Sequence, residues 1–277
     1  MGVSKMPQSK LEKILAKQHL TEEEAISILK SSRGKPSKKE ILDISKNHTK
    51  YGYFSDPHIG HNQFKEPVFY QAVKVFNDEK VDFVLIPGDH LEGMSHRPGH
   101  IYELTHLGFH QQIKYASDLY NEIKQPILGI DGNHDAWYFK PQNMGVIVGE
   151  ELERRVKNYK HLGQDEGDIQ LAPNITIKLF HANDGTAYAD SYKLQKLIES
   201  FSGGEKPNIL HSGHYHKHMY MFRRNIHGFE SGTLCGQSKF MRGKKIPAHI
   251  GFGIVDAYYG KNGIDRLDNK FFPYYER

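Results

Sequence analysis

A single cysteine, Cys235, is all that the 277 residues offer. An internal disulfide is therefore excluded, and a reducing compartment fits that scarcity. No segment approaches the ~18 consecutive apolar residues of a membrane-spanning helix. The stretch Met1 to Lys10 is polar and lacks the apolar centre of a secretory signal. A cytoplasmic protein with no membrane partner is the expectation. Internal repeats and low-complexity tracts are absent too. What remains is 38% hydrophobic residues, with 15 Phe and 16 Tyr, enough for one large α/β domain with or without a small appendage.

Charge is scarce in the sum and uneven in its placement. The net value is +4, yet residues 1–50 carry 11 Lys/Arg against 6 Asp/Glu, while the other 227 carry 26 against 27. A basic extension on a near-neutral body suggests contact with a polyanion, and a solvated helical arm fits as well. Thr21 and Glu24 make a capping-box signature ahead of the apolar run Ala25 to Leu29. Gly34-Lys35-Pro36-Ser37 then breaks the pattern, and Ser37 caps a second predicted short helix from Lys38 to Ser45. Residues 1–48 are thus assigned to a basic helical extension and 49–277 to the main domain.

From Tyr51 the texture becomes strand, polar tip, helix, repeated. Glu66 to Glu79 is an amphipathic helix with Phe69, Ala72, Val73 and Phe76 on one face. Val81 to Ile86 and Pro126 to Ile130 read as buried strands, and Ile101 to Lys124 as largely helical. Further strands are expected at Ile175 to Phe180, Ile209-Leu210, Met219 to Arg223, Gly228 to Ser231 and Ile250 to Asp256. Polar motifs stand where the strands end: Asp56-Pro57-His58, Gly88-Asp89, Gly132-Asn133-His134-Asp135, His181 and Gly213-His214-Tyr215-His216. In open α/β sheets, ligands gather beyond the carboxyl ends of strands.

The residue types in these motifs suit two adjacent divalent cations. Asp56 and His58, like His214 and His216, are two apart, so an extended chain would point each pair the same way. Asp89 follows a glycine that permits close approach, and its carboxylate can bridge two ions. Asn133 supplies a neutral carbonyl oxygen. Each motif alone recurs by chance; their order and their placement at strand ends carry the inference.

The ordered set FSDPHIG, IPGD, GIDGNHD, LFHAND and HSGHYH resembles the calcineurin-like metallophosphoesterase superfamily, most of all its nuclease and phosphodiesterase members. The resemblance runs from about Tyr51 to about Asp256. It implies a four-layer α/β sandwich of two mixed β-sheets flanked by helices, with two metals at the rim. It also implies Asp56, His58, Asp89 and His216 on one metal and Asp89, Asn133, His181 and His214 on the other. A metal-bridging hydroxide would attack phosphorus, His134 would stabilise the transition state or protonate the leaving oxygen, and Asp135 would orient its ring. Two departures stand out: Glu92 replaces the usual last aspartate of Gly-Asp-x-x-Asp, and Ala182 follows His181 where Gly or Pro is common. Mn²⁺ is the expected ion, with Fe, Zn²⁺ and Mg²⁺ as alternatives.

Three basic features tilt the substrate toward a phosphodiester in nucleic acid, DNA or RNA: the extension, Arg223 with Arg224, and the stretch Lys239 to Lys245, from which Lys239 and Arg242 are the expected phosphate contacts. The alternative is a phosphomonoesterase acting on a nucleotide, another small molecule or a phosphoprotein. The insert Glu92 to His110 would cap the site, with His90 or His96 within reach of a substrate phosphate and most of its histidines on the surface. Oligomeric state is not set by these features.

Overall fold

Side chains at i and i+2 share a face of a strand, and over Glu166–Ala172 the buried Gly167, Ile169 and Leu171 follow that period. The computed structural model describes residues 39–42, 47–140 and 145–275. The helix expected after Thr21 and Glu24 lies outside them. In chain order the elements begin with β1 (Lys39–Ile41), β2 (His48–Tyr53), α1 (Glu66–Asp78) and β3 (Phe83–Ile86). A 3₁₀ turn (His100–Glu103) precedes α2 (Gly108–Tyr120), β4 (Ile127–Ile130), α3 (Ala136–Phe139), α4 (Val148–Arg155) and β5 (Tyr159–Gly163). Then come β6 (Glu166–Ala172), β7 (Ile175–His181), α5 (Tyr192–Ser200), β8 (Ile209–Gly213), β9 (His218–Arg223) and β10 (Ile226–Ser231). The chain closes with α6 (Lys239–Lys244), β11 (Gly251–Gly260) and β12 (Gly263–Pro273).

Two mixed sheets result, ordered β1-β6-β7-β8-β10-β9 and β12-β11-β2-β3-β4-β5. Their facing surfaces share one core: Tyr51, Phe83, Leu85 and Val255 from one sheet meet Ile169, Ile177, Leu179 and Phe229 from the other. The opposite face of the second sheet packs on α1 and α2 through Phe69, Phe76, Ile113, Ala116, Phe252 and Ile254. Leu194 and Ile198 of α5 cover Leu210 and Ile226 of the first sheet. Helix, sheet, sheet, helix is the four-layer sandwich expected. No helix among the described residues is long and apolar enough to cross a membrane.

One expected helix is replaced. Over Lys39–Ile41 the chain is a strand, paired in parallel with β6 in the register Lys39 to Asp168 and Ile41 to Gln170. A three-residue edge strand with Ile41 exposed carries no periodic signal. These residues therefore join the sandwich, not the extension. The C-terminal aromatics divide: Phe271 stacks on His218 and Phe272 on Phe252, while Tyr274 and Tyr275 stay exposed.

Candidate metal centre

The parallel strands β2, β3 and β4 deliver their tips to one edge, and the parallel pair β7 and β8 delivers theirs to the same place. Backbone conformation there differs from the extended chain expected. Asp56 (φ 46°), His58 (48°), Asp89 (51°), His214 (85°) and His216 (56°) all take the left-handed region, which costs a non-glycine residue on the order of 1–3 kcal/mol. The side chains of Asp56 and His58 converge through left-handed kinks on either side of Pro57, not through strand alternation. Hydrogen bonds pin the kinks: the Asp56 amide donates to the Gly88 carbonyl at 3.3 Å and the His58 amide to the Asp89 carbonyl at 3.1 Å. Glycine is needed where the tips touch. A Cβ on Gly132 would stand 2.2 Å from Asp89 Oδ1, and one on Gly213 would stand 2.3 Å from the Pro87 carbonyl.

Two nests of ligand atoms share one carboxylate. In the first, His58 Nε2 lies 3.0 Å from His216 Nε2, and His216 Nε2 lies 3.5 Å from Asp56 Oδ1. In the second, Asn133 Oδ1 lies 3.1 Å from His181 Nε2 and 2.7 Å from His214 Nδ1. Asp89 Oδ2 stands between them, 3.5 Å from His58 Nε2 and 3.4 Å from His181 Nε2. Its Oδ1 accepts the His134 amide at 2.8 Å. All these side chains except those of Asn133, His214 and His216 are almost fully buried.

Proton placement shows what fits there. The Nδ1–H of His181 donates to the Pro87 carbonyl at 2.7 Å, which turns the Nε2 lone pair toward Asp89 and Asn133. His214 donates through Nε2 to the Asp184 carbonyl at 2.8 Å, so its Nδ1 lone pair meets Asn133 Oδ1. His58 donates through Nδ1 to Glu92 Oε2 at 2.8 Å, leaving Nε2 to the first nest. Ligand atoms thus converge across both nests, and a positive charge between them, a proton or a metal cation, satisfies them. Burial and the neighbouring His181 hold His214 below its ordinary value; burial and His134 do the same for His58. Both are then neutral imidazoles, the form that binds metal. His181 goes the other way: burial opposes its charge, but the Asp89 and Asp56 carboxylates lift it to about 10. That proton occupies the position a divalent ion would take.

His134 sits at the mouth, held differently from expectation. Its Nδ1–H donates to the Glu92 carbonyl at 2.8 Å, with Glu92 Oε2 3.3 Å away. Asp135 does not touch the ring. Its carboxylate accepts the backbone amides of His90, Leu91 and Gly132 at 2.9 to 3.0 Å, tying the tips of β3 and β4 together. Glu92 is the orienting group the sequence reading passed over. Beyond His58 and His134, it takes His100 Nε2 on Oε1 at 2.7 Å. Its three-residue spacing from Asp89 was the available signal. Burial pushes the Glu92 carboxyl up, but the His134 charge and these imidazole hydrogen bonds hold it well below its usual range. Burial opposes the charge of His134, and Glu92 and Asp89 outweigh it, lifting that imidazole to about 9.

A cavity of about 610 Å³ opens on the centre, lined by His58, Asp89, His134, His214 and His216 among others. The expected phosphate contacts are not in its wall. Arg223 pairs with Glu199 at 2.5 Å, and Arg224 Nη1 donates to the carbonyls of Ile198, Glu199 and Phe201, closing the C-terminal end of α5. Lys239 and Arg242 ride on α6, but the face that lines the cavity carries Phe240, Met241 and Lys244. Arg97, from the insert, is the second cation in the lining. His90 is buried between the hydroxyls of Tyr120 (2.9 Å) and Tyr159 (2.7 Å), out of reach of any phosphate. His100, in an insert whose histidines were mostly expected on the surface, is buried against Glu92.

The chain is 24% identical over 235 residues to the DNA polymerase II small subunit of Methanothermobacter thermautotrophicus, covering 69% of this chain and 48% of that protein. It is 24% identical over 259 residues to its Archaeoglobus fulgidus counterpart, covering 78% and 52%. The chain thus spans about half the length of these curated relatives. Among solved structures, an archaeal phosphodiesterase is 16% identical, with 80% of this chain and 99% of that one covered at a TM-score of 0.48. The family model for calcineurin-like phosphoesterases matches residues 49–251, a span that contains both ligand nests, and the chain belongs to that family.

Proposed function

We propose that this chain is a dinuclear-metal phosphoesterase that hydrolyses phosphodiester bonds in nucleic acid. The observation that carries the reading is the pair of acceptor nests sharing Asp89 at the floor of a cavity whose lining includes Arg97 and Lys244. When bound, two divalent cations would activate a water and neutralise the phosphoryl oxygens. Asp56, His58 and His216 would hold one ion, Asn133, His181 and His214 the other, and Asp89 would serve both. Mn²⁺ is the proposed occupant, since carboxylate, imidazole and amide ligands together suit it.

The remaining groups do protein chemistry. His134, its Nδ1 fixed by Glu92, keeps Nε2 for the substrate and delivers a proton to the leaving oxygen. Asp135 keeps the tips of β3 and β4 in register so that Asp89 and Asn133 face each other. Arg97 and Lys244 neutralise phosphates flanking the reacting one. The curated relatives are DNA polymerase subunits by name, which supports DNA as the polymer and a protein partner for this chain.

Mn²⁺-dependent cleavage of labelled single- and double-stranded DNA, with EDTA and Asp89→Asn controls, tests the reading. Cleavage lost in both controls supports it. Hydrolysis of p-nitrophenyl phosphate with no cleavage of DNA moves the assignment to a phosphomonoesterase.

A further inference from the structure

The cavity is larger than a phosphoryl group needs, and its outer residues are of a different kind from its floor. Trp137, Phe240, Met241 and Ile246 line it together with Arg97 and Lys244. His134 lies against Trp137 at 4.0 Å between ring centroids, so that indole borders the reacting position. Phe240 is 48% exposed, so its ring is open to a ligand in the cavity. The Arg97 guanidinium stands over the Phe240 ring at 5.4 Å and is itself steered by Glu103 at 2.5 Å.

We infer that this part of the cavity binds one unpaired nucleotide of the substrate, its base against Trp137 and Phe240 and its flanking phosphate near Arg97 and Lys244. The inference rests on the phosphodiesterase reading and sharpens it to single-stranded or frayed nucleic acid. Three features select that occupant. The metal ligands form the floor, so whatever fills the rest is attached to the scissile phosphorus. Aromatic rings beside cations match a base beside a phosphate, and they are tolerant of sequence because every base has a π-face. A volume of about 610 Å³ is that of a small-molecule site, so a base must leave its stack to enter it.

The test uses the full chain with Mn²⁺ and two single-stranded oligonucleotides of equal length, one fully based and one with abasic residues throughout its central stretch. Bis(p-nitrophenyl) phosphate serves as a small diester. The based oligonucleotide should be cleaved there with kcat/KM about tenfold higher than the abasic one, as loss of one stacking contact predicts. In Phe240→Ala or Trp137→Ala that ratio should fall toward one, and Phe240→Tyr, which keeps the ring, should retain it. Equal cleavage of both oligonucleotides by the wild type, or a ratio unchanged in both alanine variants, would overturn the base site. Hydrolysis of the small diester with neither oligonucleotide cut would overturn it, and the nucleic-acid substrate with it, while the phosphodiesterase chemistry stands. Silence on every substrate would overturn both.

Discussion

Two clusters of titratable side chains in this molecule have nearly the same composition and opposite character. Asp89, His181 and His214 bring a carboxylate and two imidazoles together; a short distance along the same tips, His90, Asp131 and Asp135 bring an imidazole and two carboxylates together. In the second cluster every group has its partners. Both His90 nitrogens meet tyrosine hydroxyls, Asp135 accepts three backbone amides, and Asp131 accepts the Gly149 amide at 2.7 Å beside His161. In the first, Asp89 Oδ2 lies 3.4 Å from His181 Nε2 and Asn133 Oδ1 lies 2.7 Å from His214 Nδ1, contacts that need a shared proton or a cation. Residue type does not separate a candidate metal site from a structural network; the convergence of ligand atoms with no neutral donor between them does.

Substitutions can break that contrast. His134→Ala, at the mouth of the first cluster, should cut turnover by roughly 10²–10⁴ while metal content stays near that of the wild type; metal lost together with activity would make His134 a ligand instead. Asp135→Ala, in the second cluster, should cost about 3 kcal/mol or more in stability, because three buried amides lose their acceptor. Urea denaturation reads it, and an unchanged midpoint would show that these hydrogen bonds carry no weight. Glu92→Gln should weaken metal affinity or activity by roughly 10–100-fold, with Mn²⁺ titration as the check. Full wild-type behaviour would remove Glu92 from its orienting role.

The smallest effect is in pH. Burial, and then the charge of His161, push His90 down to about 3, so it stays neutral in the fold while the unfolded chain protonates near 6.5. The folded state binds fewer protons between those values. Stability from this group is complete above about 6.5 and is lost as pH falls, by up to about 1.4 kcal/mol per pH unit. Between pH 7 and pH 5 the wild type should therefore lose more stability than His90→Gln, measured by denaturation. Equal losses would mean that His90 protonates in place.

Part of this was legible from the residues alone, for physical reasons. Tyr51, Tyr53 and Leu85 alternate or run apolar as buried strands must, and the polar motifs stop those runs where the tips gather. Both ligand nests assemble from the residues that the motif order named. Backbone at the tips was not legible, because left-handed Asp56 and His58 look in sequence like any extended Asp-x-His. Basic residues were misplaced for a similar reason. Charge says that Arg224 seeks anions or carbonyls, but only the packing of α5 against β9 and β10 shows that the carbonyls are its own neighbour's. Helical phase separated Lys244 from Lys239 and Arg242, and that phase depends on Ser238 as the cap, where its hydroxyl accepts the Met241 amide.

The most direct test of the central claim is the number of Mn²⁺ ions bound per chain by the 277-residue protein, counted by titration calorimetry or elemental analysis after removal of loose metal. Two nests sharing Asp89 predict two ions in the wild type and one or none in Asp89→Asn. Two ions retained in that variant, or a single ion in the wild type, would contradict the shared carboxylate on which the account stands.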